Sequence, residues 1–271
     1  MLIQTLNKNF ASSLISKIGV AFGPPIFLYC TQKAMNFYPK LSLFIFLFFQ
    51  PYLSMSQDDI LRIQKTDDFT IDGAGNSPAW QKATWVELKM RGDGNTLDTR
   101  AKVLYSETGI YFLMQCEDEQ LTATLTEDFA DLYNEDVVEV FLWTDEEFPV
   151  YFEYELSPLD YELPIMVPNR DGTFFGWRPW HYEGERRTKH ATTVKGGPKE
   201  SMAKIDSWTA EFFIPYTLLK PLGNVPPQAG TRWRANMYRI DYDQEKPRYF
   251  LWQPTSGNFH QYQEFGTFIF E

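Results

Sequence analysis

Leu132-Tyr133-Asn134-Glu135-Asp136-Val137-Val138-Glu139-Val140-Phe141-Leu142-Trp143 decides how this chain folds. A polar turn gives way to a run of β-branched, aliphatic and aromatic residues with neither Gly nor Pro, which is strand composition. A second stretch of the same kind lies far away, from Tyr249 through Trp252, Phe259 and His260 to Phe265-Gly266-Thr267-Phe268-Ile269-Phe270. In each, a strand pattern adjoins a polar turn that carries an aromatic ring. Working outward, similar short runs occur at 101–105, 110–116, 150–156, 191–194, 208–214, 233–240, 250–252 and 267–270, bounded by Gly, Pro, Asn and Asp. Together with 137–143 they predict an all-β fold, a two-sheet antiparallel β-sandwich. Helical pattern is confined to one turn at Pro215-Tyr216-Thr217-Leu218-Leu219. Residues 157–179 hold Pro158, Pro164, Pro168, Gly172 and Gly176, and Trp177-Arg178-Pro179-Trp180 closes the segment, so it reads as a long, aromatic-rich loop insertion of functional type. The charged segment 183–204, with Gly196-Gly197-Pro198, reads as a solvated hairpin or loop.

The N-terminal quarter has a different character. From Met35 a basic start ending at Lys40 leads into the apolar run Leu41-Ser42-Leu43-Phe44-Ile45-Phe46-Leu47-Phe48-Phe49, then Ser54-Met55-Ser56-Gln57. A short hydrophobic stretch with small residues at −3 and −1 predicts a signal peptide over 35–56, cleaved near Ser56-Gln57. The run is shorter than the roughly 20 apolar residues of a spanning helix. Residues 1–34 then read as an upstream extension or mis-assigned start, and 57–271 as a single domain large enough for one sizeable core. The expected location is secreted or, in a bacterium, periplasmic. The chain's formal charge is −11, and losing the four lysines of the first 56 residues takes it to −15. Such a domain does not suit nucleic acid or anionic membranes, and it leaves carboxylates free for a cation such as Ca²⁺. Only Cys116 follows the signal segment, within a strand-like run, so no disulfide forms and the thiol reads as a buried apolar residue.

Exposed-looking rings on a rigid sheet suit the C–H faces of a sugar, while planar polar side chains bind its hydroxyls. Tyr133, Trp177, Trp180, Phe259 and Tyr262 lie in loop-like sequence, with Asn134, Arg178, Arg248, Gln253, Asn258, His260 and Gln261 near them. Trp143, Trp208, Trp233 and Phe268 lie within strand patterns and read as core. For Tyr133 and Phe259 ligand contact and core packing both fit the sequence.

Five motifs in order carry a family resemblance: Ile71-Asp72-Gly73 followed by Pro78-Ala79-Trp80; Glu135-Asp136-Val137-Val138-Glu139-Val140-Phe141; Trp208-Thr209-Ala210-Glu211-Phe212-Phe213-Ile214-Pro215; Gly230-Thr231-Arg232-Trp233-Arg234-Ala235-Asn236; and Phe265-Gly266. Over residues 65–271 the chain resembles the carbohydrate-binding module family 9 domains of the DOMON-like sandwich group. That resemblance implies a non-catalytic sandwich that clamps an oligosaccharide or polysaccharide between two rings, with structural Ca²⁺ in some members, in the setting of a glycan-degrading system. It places Tyr133 and Phe259 at the two ring positions, where sugar-binding members carry Trp, and Glu139 and Arg248 at polar ligand positions. Trp177, Arg178, Asn258 and His260 complete the expected ligand-binding set.

Two other classes remain on the sequence alone. Glu139, Glu153 and Glu155 share a strand parity in neighbouring strand-like segments, so they form either a solvated face or the carboxylate pair of a glycosidase acting on O-glycosyl bonds. A haem site drawing on Met166, Met237 and His260 is the third reading. For Ca²⁺ the acids Asp58, Asp59, Asp67, Asp68, Asp118, Asp128, Asp131, Asp136 and Asp145 cluster in places without EF-hand spacing.

Overall fold

Alternation governs the architecture of the computed structural model, which describes residues 59–94, 97–170, 173–180, 183–220 and 222–271. The predicted signal peptide, the residues before it, Asp58 and His181 lie outside these. Fifteen strands follow in chain order: β1 Ile60–Lys65, β2 Val86–Glu87, β3 Lys89–Met90, β4 Thr99–Tyr105, β5 Gly109–Glu117, β6 Val137–Trp143, β7 Val150–Leu156, β8 Glu162–Arg170, β9 Thr173–Phe174, β10 Arg178–Pro179, β11 Lys189–Lys195, β12 Ser207–Pro215, β13 Arg232–Asp241, β14 Arg248–Leu251 and β15 Gly266–Phe270. One four-residue helix, α1 Tyr216–Leu219, follows β12. Every predicted strand is present, and the helical turn lies where its sequence places it.

The main path of pairing runs β10-β8-β7-β6-β13-β15-β1-β4-β5-β12-β11. Strand β1 divides it into two layers: Ile60–Ile63 pair with β15, and Gln64–Lys65 pair with β4. Both of these pairings are parallel; those of the other strands are antiparallel. Val138, Val140 and Leu142 of β6 and Phe152, Tyr154 and Leu156 of β7 face Phe112, Trp208, Ala210 and Phe212 of the other layer, in a common core with Trp233 and Phe268. Cys116 is buried there as a free thiol, its pKa pushed up to about 12 by burial. A second apolar cluster covers the outer face of the β6–β7–β8–β13 layer, with Phe141, Tyr151, Ile165 and Tyr238 beneath loop residues Phe259 and Tyr262.

Two loop expectations are corrected. Residues 157–179 are not one loop insertion, because β8 lies within them as a largely buried nine-residue strand. Its prolines misled the reading. The carbonyls of Pro164 and Pro168 accept from Trp180 and Phe175 on the outer side, so the missing N–H groups face the short flanking segments and not β7. Segment 183–204 contributes β11, an edge strand with exposed Lys189 and Lys195 at its ends.

Glu211 ties the first motif to the sheet. Its buried carboxylate accepts from Trp80 Nε1 and the Asp72 and Gly73 backbone N–H groups at 2.8 Å each, and from Gly75 N–H at 3.3 Å. Gly73 has φ +79° and packs so closely on Ala191 that a Cβ there would lie 2.9 Å from its carbonyl carbon. Glu211→Ala leaves these donors without their acceptor. It should lower unfolding free energy by roughly 3 kcal/mol in urea denaturation, against less for Glu211→Gln; equal stability of Glu211→Ala and the parent protein would contradict this role.

Candidate functional site

The strand parity that fills the core with Val138, Val140, Phe152 and Tyr154 sends Glu139, Glu153 and Glu155 to the opposite face. Glu139 lies directly across from Glu155, and Phe141 across from Glu153. This face is not solvated: Glu139 is 2% exposed, Glu153 4% and Glu155 not at all. The three carboxylates line a cavity of about 610 Å³ with Phe141 and Ile165. Its rim comes from four separate loops. Tyr133 and Asn134 belong to the 3-10 turn before β6; Phe174 and Trp177 come from the segment after β8; Gly257, Asn258, Phe259 and His260 precede β15; Arg91 follows β3.

The rim is held by hydrogen bonds. Tyr242 donates its hydroxyl to the Tyr133 carbonyl at 2.9 Å, and Tyr238 donates to the Phe259 carbonyl at 3.0 Å. Asn258 Oδ1 accepts from the His260 N–H at 2.9 Å. His260 Nδ1 lies 2.6 Å from the Tyr151 hydroxyl and 3.8 Å from Glu153, and Phe174 stacks on its ring at 4.2 Å. Arg91 donates to Thr255 Oγ1 at 2.8 Å, with its guanidinium 5.7 Å from the Tyr249 ring centre.

Of the sequence-predicted ligand set, Tyr133, Glu139, Trp177, Asn258, Phe259 and His260 meet around this cavity. Phe259 is not a free jaw: it is 9% exposed and stacks on Tyr238 at 3.9 Å, 11° from parallel. Arg178 starts β10, is exposed, and donates to the Trp177 carbonyl away from the lining. Arg248 is absent from the lining and forms an ion pair with Asp241 at 2.9 Å. Trp180, a further candidate ring, donates to the Leu218 carbonyl and packs on the inter-sheet core. The haem reading has no geometry to support it, since Met166 and Met237 face that core while His260 lies at the outer cavity. Sequence reasoning left Glu153 and Glu155 out of the binding set, although their period-two placement in an otherwise apolar run was a usable signal. Arg91 and Tyr249 carry no such signal, because a two-residue pairing of β3 with β14 brings them in.

Burial raises all three carboxyls: Glu139 to about 8, and Glu153 and Glu155 well above the ordinary carboxylate range, with repulsion from Glu139 adding to both. Burial lowers His260 to about 4, so its ring is neutral near pH 7.

A second polar cluster lies at one end of the core. Arg239, fully buried, pairs with Asp118 at 3.0 Å and Asp241 at 2.7 Å. Beside it, Asp118, Asp136 and Asp243 each offer a carboxylate oxygen, all within 4.8 Å of one another. Asp118 also accepts from Trp208 Nε1, and Asp136 from the Thr122 and Tyr242 N–H groups. Asp243 Oδ2 is buried without a hydrogen-bond partner, and the Arg248 guanidinium is 3.8 Å away. Burial raises Asp118 to about 7 and Asp136 to about 9, with repulsion from Asp118 adding to the latter. An all-oxygen set with an orphaned acceptor fits a hard divalent cation such as Ca²⁺. Asp118 and Asp136 were among the sequence candidates; Asp243 was not.

Residues 71–165 match the model of the carbohydrate family 9 binding domain-like family. The family 9 resemblance read from the sequence is borne out over that segment. The matched segment contains Arg91, Tyr133, Asn134, Glu139, Phe141, Glu153, Glu155 and Ile165, eight of the seventeen residues that line the cavity. Similar solved structures include a candidate carbohydrate-binding protein from Bacteroides uniformis ATCC 8492, with 16% identity, a TM-score of 0.64, and coverage of 78% of this chain and 99% of the other. Family 9 modules from Caldicellulosiruptor kristjanssonii, in complex with cellotriose and with glucose, align at TM-scores of 0.56 and 0.55, each with 16% identity over 78% of this chain and 94% and 96% of theirs. No curated protein sequence matches the chain significantly.

Raised carboxyls fix the sign of the pH dependence. Their folded pKa exceeds the unfolded value, so the folded state holds the extra protons and stability is lost as pH rises through the folded values. Burial alone would lower His190, but Asp160 and Glu162 raise it to about 9, and it acts in the same direction. His260 opposes only as pH falls from about 6.5 towards 4. Between pH 6.5 and 9 in chelator, Tm should therefore fall; a flat or rising Tm would contradict the burial of these acids.

Proposed function

We propose that this chain is a non-catalytic carbohydrate-binding protein that holds an oligosaccharide in the outer-face cavity. The observation that carries the reading is the coincidence of the family match with the cavity: the segment 71–165 contains Tyr133 and all three glutamates. Rings at the rim supply stacking surface, and buried carboxyls below supply fixed hydrogen-bonding groups, which is the division of labour a sugar requires. Structures of similar fold hold cellotriose and glucose, which favours a gluco-configured ligand as the first to test. Tyr133 and Trp177 are the assigned stacking rings, with Phe259 on the same rim packed against Tyr238. Calorimetric titration with cello-oligosaccharides should show binding that Tyr133→Ala and Trp177→Ala each weaken roughly tenfold; unchanged affinity in both variants removes the cavity assignment.

Export belongs to the same proposal. The apolar segment 35–56 supports it. Mass spectrometry of protein recovered from outside the cell should give an N-terminus near Gln57. A role beside polysaccharide-degrading enzymes follows from that placement and from the ligand class.

Asp118, Asp136 and Asp243 are the proposed Ca²⁺ ligands, and the ion would supply positive charge that relieves their mutual repulsion. Millimolar Ca²⁺ should raise Tm by several degrees over chelator, since a ligand at a hundred times its Kd stabilises by about 2.7 kcal/mol. Asp243→Asn should abolish the rise; no Ca²⁺ effect on the parent protein would sink the assignment.

The convergence of Glu139, Glu153 and Glu155 also keeps a glycosidase reading open to trial. It requires turnover of an oligosaccharide that Glu139→Gln abolishes, and lack of hydrolysis across a broad glycan panel counts against it.

A further inference from the structure

The cavity holds more carboxyl groups than a neutral sugar needs. Both oxygens of Glu155 and Oε2 of Glu153 are buried without a hydrogen-bond partner, though they line an open cavity. The two acids lie against each other, and the Tyr133 backbone N–H favours the ionised form of Glu155, but no donor closes a well-formed hydrogen bond on these oxygens. Buried acceptors left in this condition are costly, and they persist where a ligand supplies the donors. Of the bases nearby, His260 is neutral near pH 7, and Arg91 is drawn to the rim by Thr255. Three carboxyls, which burial keeps protonated near pH 7, therefore face one guanidinium. A bound cation that lets one of them ionise offsets that burial, and a compact cation with several donors is complementary to the group. A primary ammonium has that form, with three N–H groups and one positive charge.

Resting on the carbohydrate-binding reading above, we infer that Glu139, Glu153 and Glu155 form an ammonium subsite, so that the preferred ligand is an amino sugar with a free amine. The stacking rings Tyr133 and Trp177 take the pyranose, and the amine points down to the glutamates. An N-acetyl group removes the charge and adds bulk, so acetylated sugars are disfavoured. A neutral glucose unit places a hydroxyl at the same point and is bound by hydrogen bonds alone.

Three disaccharides decide the matter: β-1,4-linked glucosamine dimer, its di-N-acetyl form, and cellobiose, each titrated calorimetrically near pH 7 into the parent protein, Glu155→Gln and Glu153→Gln. The expected result is at least about tenfold tighter binding of the free-amine dimer than of cellobiose, with the acetylated dimer weakest. Glu155→Gln keeps hydrogen-bonding groups but removes an ionisable carboxyl, so the amine preference, read as the ratio of free-amine dimer to cellobiose affinity within the same variant, should collapse. Retained Tm in both variants, read by thermal melting, separates lost charge from lost fold. If cellobiose binds as tightly as the free-amine dimer, or if both variants keep the preference, the ammonium subsite is overturned while carbohydrate binding stands. If none of the three binds, both readings fall.

Discussion

Strand parity in β6 and β7 is the constraint on which the site depends. Val138, Val140 and Leu142, with Phe152, Tyr154 and Leu156, must face the inter-sheet core. Because side chains alternate, Glu139, Glu153 and Glu155 then have no choice but the outer face. A one-residue slip would drive three carboxyls into the apolar core, a cost far beyond the stability of a domain of this size. Packing in the core thus fixes the register, and the register fixes the geometry of the polar cluster. The site is as rigid as the sandwich beneath it.

Burying acids on that outer face requires a cover, and the loops supply it. Tyr133, Trp177, Phe259 and His260 come from widely separated segments, yet each is tied by hydrogen bonds or ring contacts to the same layer. The result is a cavity with preformed walls and partly unsatisfied contents. Arg239 offers an instructive contrast, because its charge is met by Asp118 and Asp241 and its Nη1 reaches Thr99 and the Glu117 carbonyl. That cluster is largely structural in its bonding, with Asp243 Oδ2 and Arg239 Nε as the exceptions. In the cavity the imbalance lies at the centre of the site.

Much of this was legible in the sequence. Period-two runs such as 137–143 and 208–214 announce their strands, because each alternating residue either packs or faces a loop. β8 was hidden, since Pro164 and Pro168 read as breakers unless one knows that their missing donors face short edge segments. Tyr133 and Glu139 could be found from local pattern, as could the burial of Trp208 and Cys116. Phe259 was placed at the site, but only three-dimensional packing reveals that Tyr238 already covers one of its faces. Arg91, and the divergence of Arg248 and Arg178 from the cavity, depend on pairings of two to four residues that leave no trace in composition.

The central claim is that sugar is held over the three glutamates on the outer face, between Tyr133 and Trp177. A crystal structure of the chain soaked with oligosaccharide tests it most directly. The account predicts a pyranose stacked at those rings with polar atoms directed at Glu139, Glu153 and Glu155. Sugar density instead in the larger groove beside Trp85 and Trp252, with the glutamate cavity empty, would contradict it.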